Sequence, residues 1–352
     1  MTTPQTTLSV QQQAGKMMEQ IYGFVNVYLL NTGMELGLFE RVRAAGTAGL
    51  SAAELAQSQG LHEPYLTVWC QSAYGYGYLE TTSDGRFCRA AHMGSLLAGP
   101  QSPAYVGNIL RLFANYCGED LLQHSRYLKS GEVFTFQEHG EGFSSLISKN
   151  GTTKGAKFLK MVVPQVPGLE EKLRNGATLL DVGCSGGTFM LALAREYPTC
   201  RFVGVDIDRN ALPLAETAIT QAGLSERISV REMGAEAIDF NNTFDVITLN
   251  SVIHEVRPPR KPQAVTRCLK ALKPGGLLLV TDFSLPDSLP GLREPAYRMV
   301  LMDQFLEMSW GNRHQTKQEQ LDLLTQAGFV NVHHGPLGDN LYVLLRGERP
   351  NS

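Results

Sequence analysis

The sequence predicts an α/β protein, with a doubly wound, mostly parallel sheet in the C-terminal half and a mainly helical domain before it. Three observations carry this expectation. Between residues 178 and 208 a short apolar run, a glycine-rich turn, an apolar helical stretch and a second apolar run follow one another. That is the length and order of a parallel strand–helix–strand crossover. Strand-length and helix-length runs then alternate nearly to the C-terminus, as a parallel sheet covered on both faces requires. Ahead of residue 165 the apolar positions recur mainly at helical spacing.

A chain of 352 residues has room for two domains, drawn here at 1–165 and 166–352. The composition, 43% hydrophobic and 18% charged, is that of an ordinary globular protein, so no disordered or fibrous class need be considered. A net charge of −3 gives no electrostatic case for nucleic acid or an anionic membrane as partner. The six cysteines lack C-x-x-C spacing, so reduced thiols are expected rather than a zinc site or a disulfide framework. The polar start MTTPQTTLSV has no leader pattern, and no apolar run reaches membrane-spanning length. The expected location is the cytoplasm.

Over 8–32, Met17, Met18, Ile21, Phe24, Val25 and Tyr28 form a stripe wide for a terminal helix. Helices of a second subunit, giving a homodimer, or of its own domain would cover it. A second helix is expected over 34–45. Ser51 and Glu54 have capping-box spacing and open a helix over 52–59, and another follows over 64–74. Residues 78–82 and 86–89 flank Ser83-Asp84-Gly85, a hairpin signal. Helix–turn–helix–hairpin is a winged-helix arrangement. From Leu50 to Arg89, however, Arg86 and Arg89 face Glu54, Glu63, Glu80 and Asp84, and the second helix has no Lys or Arg. A DNA reader needs such residues for phosphates, so nucleic acid is not an expected partner. Residues 102–165 read as further helix, and 159–176, with Pro164 and Pro167, as a bridge between domains.

A strand over 179–182 ends in Gly183-Cys184-Ser185-Gly186-Gly187; a helix starts near Phe189, and a strand over 202–205 is closed by Asp206. Asp208 suits the N-cap of a helix over 210–222. A strand over 228–232 leads to Met233-Gly234-Ala235-Glu236, and one over 244–249 to Asn250-Ser251-Val252-Ile253-His254-Glu255. After an amphipathic helix over 261–272, Lys273-Pro-Gly-Gly276 is expected to turn the chain into a strand over 277–281, followed by Asp282. Thr316 and Glu319 cap a helix stopped by Gly328, and 329–332 with 341–345 close the sheet as a hairpin.

Ligands of such sheets lie beyond the carboxyl ends of the strands, where the glycine turn and Asp206 sit. Counted from Gly183, Ser185 and Thr188 occupy the second and third glycine places of a dinucleotide fingerprint, so that reading fails. The Lys-Ser/Thr ending of a phosphate loop is missing too. Asp181, two residues before Gly183, suits a cationic ligand better than a pyrophosphate. The pattern D-x-G-C-x-x-G, followed by G-x-D at the next strand end, resembles the cofactor site of class I S-adenosylmethionine-dependent methyltransferases, whose sheet is Rossmann-like. The resemblance implies that Asp181 helps to hold the methionine amino end. It also implies that Gly183 and Gly187 let backbone approach S-adenosylmethionine and that Asp206 takes the ribose hydroxyls. Ile207, Met233, Gly234 and Asn250 complete the implied cofactor set. Ser185 departs from the family glycine, and Glu236 stands where an Asp often borders the adenine.

With a winged-helix domain in front, the chain looks like the small-molecule O-methyltransferases. In that group the first domain forms a homodimer and helps to close the acceptor pocket. The family base is a histidine after the fourth strand, matched by His254. Asp282 matches one flanking acid, and His314 in GNRHQT takes the place of the other. The expected reaction is methylation of a small-molecule hydroxyl, with His254, near its ordinary pKa, as general base. N- or C-methylation, and a ligand-sensing regulator that binds the cofactor without methyl transfer, are the alternatives. Tyr297, Met299, Met302, Phe305, Met308 and Trp310 suggest a flat, apolar acceptor. No metal is expected, because the other histidines lack ligand spacing with a carboxylate.

Overall fold

A computed structural model describes residues 8–338 and 342–351, apart from 101 and 103. The chain divides into two compact units, Met1–Gly118 and Glu119–Ser352. In the first, Ser9 starts the helix Val10–Glu35 through a reciprocal capping box with Gln12. Left-handed Gly37 separates it from the helix Leu38–Ala45. The Ser51–Glu54 box opens Ala52–Gln59 as its spacing predicts, and Glu63–Gly75 follows. Strands β1 (Leu79–Thr81) and β2 (Phe87–Arg89) then pair antiparallel. Leu38, Leu55, Cys70 and Leu79 form the buried centre of this unit. The long helix gives that core only its last turns, at Leu30 and Met34, while Met17, Ile21, Phe24 and Val25 are each more than half exposed.

Among the described residues seven strands build the second unit's sheet: β3 (Thr178–Val182), β4 (Arg201–Asp206), β5 (Ile228–Glu232), β6 (Phe244–Asn250), β7 (Leu272–Phe283), β8 (Val330–Pro336) and β9 (Tyr342–Glu348). Their order is β5-β4-β3-β6-β7-β9-β8. The first five run parallel, and β9 lies antiparallel between β7 and β8. Successive side chains point to opposite faces. Leu179, Val246 and Leu279 pack with Leu169, Leu173, Met190 and Leu193 on one side. Leu180, Ile247 and Leu278 pack with Ala264, Cys268, Leu323 and Leu324 on the other. Burial of both faces is why these strands read as unbroken apolar runs. The order reverses at β3, which sits between β4 and β6. Gly183, Asp206 and Asn250 therefore meet at one crevice, the place where such sheets bind ligands.

Three local expectations are revised. Residues 159–176 form no open bridge: Val162, Val163, Val166, Leu169 and Leu173 recur at helical spacing and are buried against the sheet. With 119–158 they belong to the second compact unit. Asp208 does not cap a helix at 210; its Oδ1 accepts from Asn210 N at 3.0 Å in a local turn. The helix there is Leu212–Gln221, with Pro213 pre-set for its first turn. Lys273–Gly276 lie inside β7 rather than before it: they bulge between the Phe244–Leu272 and Val246–Leu277 pairs, with Gly275 at φ 69°, and Gly275 and Gly276 both pair with the backbone of Arg349. The expected strand start at Leu341 lies outside the described residues. Among the described residues no helix is long and apolar enough to cross a membrane.

Candidate active site

At the end of β3, the buried carboxylate of Asp181 accepts from Thr248 Oγ1 at 2.8 Å and Asn250 Nδ2 at 3.3 Å, both on β6. Thr281 Oγ1 donates to Asn250 Oδ1 at 3.0 Å and fixes that amide's orientation. Burial pushes the Asp181 carboxyl up to about 7, against the pull of the Thr248 bond, the Lys154 charge and the Asn250 bond. Lys154 Nζ is held close by a 2.9 Å bond to Asn250 O.

The turn follows. Gly183 has φ 73°, and a Cβ there would overlap Val252 Cγ2, so conformation and space both require glycine. The Gly183 and Cys184 amides donate to Val205 O at 2.8 and 3.1 Å, tying the turn to β4. Ser185, at φ 46°, donates its amide to Asp206 Oδ2 at 2.7 Å, and Asp208 N donates to Oδ1 at 2.8 Å. Burial raises the Asp206 carboxyl, which the Asp208 and Ser185 amides partly offset. Each oxygen keeps acceptor capacity for a further donor.

A cavity of about 350 Å³ opens at these strand ends, lined by Gly183, Asp206, Ile207, Met233, Gly234, Ser251 and Glu255, with Phe136, Arg257 and Trp310 among its other walls. A smaller recess shares Lys154, Gly183 and Ser185 with it and reaches Asp181 and Asn250. Gly187 lines neither; at φ 72° it begins the helix Thr188–Glu196, and a Cβ on it would lie 3.3 Å from Ala215 Cβ. Of the aromatic and methionine residues after 296, Trp310 lines the cavity, 6.0 Å from the Phe136 ring, whereas Met299, Met302 and Phe305 are exposed on Arg298–Glu307.

Beyond β6, Ser251 at φ 58° turns the chain, its hydroxyl bonded to that of Tyr342. This brings the buried ring of His254 to the end of β7, with Nδ1 2.6 Å from Asp282 Oδ1. The opposite nitrogen, Nε2, faces Glu307 Oε2 at 3.4 Å and Glu255 Oε1 at 3.9 Å. Burial alone would lower the His254 pKa, but the charges of Asp282, Glu307 and Glu255 outweigh it and hold the ring up to about 10. The expectation of an ordinary histidine is thus corrected: three acids surround it. Burial opposes ionisation of Asp282, yet His254 and His314 keep that carboxyl below its usual range. Burial raises Glu307, whereas the Glu255 side chain is more than a third exposed. His254 itself does not line the cavity, although Ser251, Val252 and Glu255 do.

His314 stacks on His254 with ring centres 4.4 Å apart, and its Nε2 lies 2.8 Å from Asp303 Oδ2. Arg313 N donates to His254 O at 3.0 Å and holds this loop against the ring. An acid does flank His254 on this side, but it is Glu307, from the helix Arg298–Glu307. Sequence reasoning missed Asp303, Glu307 and Lys154. The first two stand four apart on one helix and so share a face, a signal that was available.

Residues 179–276, from β3 into β7, match the family described as "Methyltransferase domain". Over 177 residues, 46% of this chain and 73% of the other, the sequence is 31% identical to the demethylmenaquinone methyltransferase of Lactiplantibacillus plantarum. It is 24% identical to the 3-hydroxy-5-methyl-1-naphthoate 3-O-methyltransferase of Streptomyces sahachiroi over 321 residues, 88% of each chain. The fold matches human N-acetylserotonin methyltransferase, solved with S-adenosylmethionine, at a TM-score of 0.78 and 18% identity, covering 98% of this chain and 100% of that one. A buried acid suited to an ammonium group, an open glycine turn and a second acid with acceptor capacity to spare all fit that cofactor. The chain therefore belongs to the class I S-adenosylmethionine-dependent methyltransferases.

Proposed function

We propose that the enzyme methylates a hydroxyl oxygen of a small, flat, largely apolar molecule, and that His254 takes the hydroxyl proton. S-adenosylmethionine supplies a methyl group on a sulfonium, so an aligned nucleophilic oxygen is what the protein has to provide. In this reading Asp181 holds the amino end of the cofactor, Asp206 the ribose hydroxyls, and Ile207, Met233 and Gly234 border the rest. The acceptor lies against Phe136 and Trp310. Its hydroxyl reaches Nε2 of His254 by displacing the Glu255 carboxylate, which lies 3.9 Å from that nitrogen.

The observation that carries the reading is the 2.6 Å contact between His254 Nδ1 and Asp282 Oδ1. It commits Nδ1 as donor; the surrounding acids favour a protonated Nε2 in the free enzyme, so the ring acts as base once that proton has left, beside a loop that lines the cofactor cavity. The naphthoate enzyme's name supports a hydroxyl acceptor by analogy, across nearly the whole chain. The proposed assembly is a homodimer through the exposed stripe of Val10–Glu35.

His254→Ala tests the base. Turnover should fall by about 10²- to 10⁴-fold with S-adenosylmethionine affinity intact. Asp282→Asn should give a smaller fall in the same direction. Near-full turnover of His254→Ala at saturating acceptor would remove the base from the account.

A further inference from the structure

Four side chains from three separate segments converge around one point: His254 after β6, Asp303 and Glu307 on Arg298–Glu307, and His314 in the following loop. One donor atom from each lies within 4.8 Å of the other three. His254 Nε2 is 3.4 Å from Glu307 Oε2, and His314 Nε2 is 2.8 Å from Asp303 Oδ2. Atoms sharing an ion at about 2.0–2.2 Å lie about 3–4.4 Å from one another, so small side-chain movements complete a coordination shell here.

What stands behind the rings agrees with this. Asp282 Oδ1 is 2.6 Å from His254 Nδ1 and 4.0 Å from His314 Nδ1. The His254 contact is the kind that metal-bound histidines characteristically make with their second ring nitrogen. His314 Nδ1 is buried without a hydrogen-bond partner among the described residues; ligation through Nε2 would fix its proton on the side facing Asp282. Buried Asp282 and Glu307, with the more open Asp303 and Glu255, also set four carboxyl groups around two imidazoles, a donor set suited to a cation.

We infer that His254, Asp303, Glu307 and His314 form a binding site for one divalent first-row transition ion of the zinc, iron(II) or manganese class. Two imidazoles and two carboxylates without a thiolate favour these over copper(I), and the imidazoles disfavour magnesium and calcium. Ion and proton claim the same lone pair on His254 Nε2. Occupancy therefore withdraws the base, a consequence that rests on the proposed reaction, whereas binding itself does not.

The test is calorimetry and visible absorption with Co²⁺ on the full-length chain after chelator treatment, followed by Zn²⁺ displacement. One Co²⁺ per chain is expected, with ligand-field bands that Zn²⁺ abolishes. Asp282→Asn, which leaves all four ligands, should weaken binding by about 10- to 100-fold, and Asp303→Asn and His314→Gln at least as much. S-adenosylhomocysteine affinity, read on the same variants, reports an intact fold. No stoichiometric binding of either ion, or binding indifferent to Asp303→Asn and His314→Gln, would overturn the site. The effect of His254→Ala on turnover is measured in chelator-treated enzyme, so the base and the metal site can fail independently.

Discussion

Asp181 is buried and hydrogen-bonded, yet it has to be charged to hold the ammonium group assigned to it. Burial puts its carboxyl at about 7 in the free protein. Above that pH the ionised form is ready; below it, binding must first remove a proton. S-adenosylmethionine affinity should therefore be flat on the alkaline side and fall as pH drops through 7, toward tenfold per unit. Calorimetry between pH 5.5 and 8.5 checks this, and Asp181→Asn should bind weakly at every pH with the slope gone. A wild-type affinity unchanged down to pH 5.5 would mean that Asp181 does not face the cation. Asp181, Gly183 and Asp206 are legible in the sequence because one crossover of about thirty residues carries them all. Glu307 is not, because it meets His254 only through tertiary folding, 53 positions along the chain. Nor is the raised pKa of His254, which depends on three acids brought together from different segments.

Among the elements, the turn between β3 and Thr188–Glu196 is constrained by both conformation and space. Gly183→Ala imposes a left-handed conformation costing about 1–2 kcal/mol and adds a methyl group into Val252. Urea unfolding should show at least that loss, and S-adenosylmethionine binding should weaken with it as Val252 is pushed into the cavity wall. A variant with an unchanged midpoint would show that the turn relaxes freely. The strands were readable for the same reason that they are stable: β3, β6 and β7 are apolar on both faces. Misreadings fell where a local signal lost to tertiary pairing. Lys273-Pro-Gly-Gly276 has turn chemistry and does break the ladder with β6, but Arg349 pairs with two of its glycines and the strand continues on both sides of it. Pro164 and Pro167 look like a linker, but the apolar residues around them pack under β3.

For the molecule as a whole, the exposed face of Val10–Glu35 and the regiochemistry of transfer each carry a prediction. Met17, Ile21, Phe24 and Val25 make an apolar strip that a lone chain would leave in water, the kind of patch that marks an association surface. Light scattering should give a dimer mass, and Ile21→Glu with Phe24→Glu should shift it to the monomer; a monomeric wild type would refute the assembly. The wide stripe was visible in the sequence, but its partner was not, since one chain's pattern cannot say which surface covers it. The central claim, methylation of a hydroxyl oxygen, is tested most directly with S-adenosylmethionine carrying a carbon-13 methyl group. Enzyme is incubated with a panel of phenols and naphthols, and the products are read by nuclear magnetic resonance. The account predicts a labelled methyl bonded to oxygen; label appearing on a ring carbon or a nitrogen would contradict it.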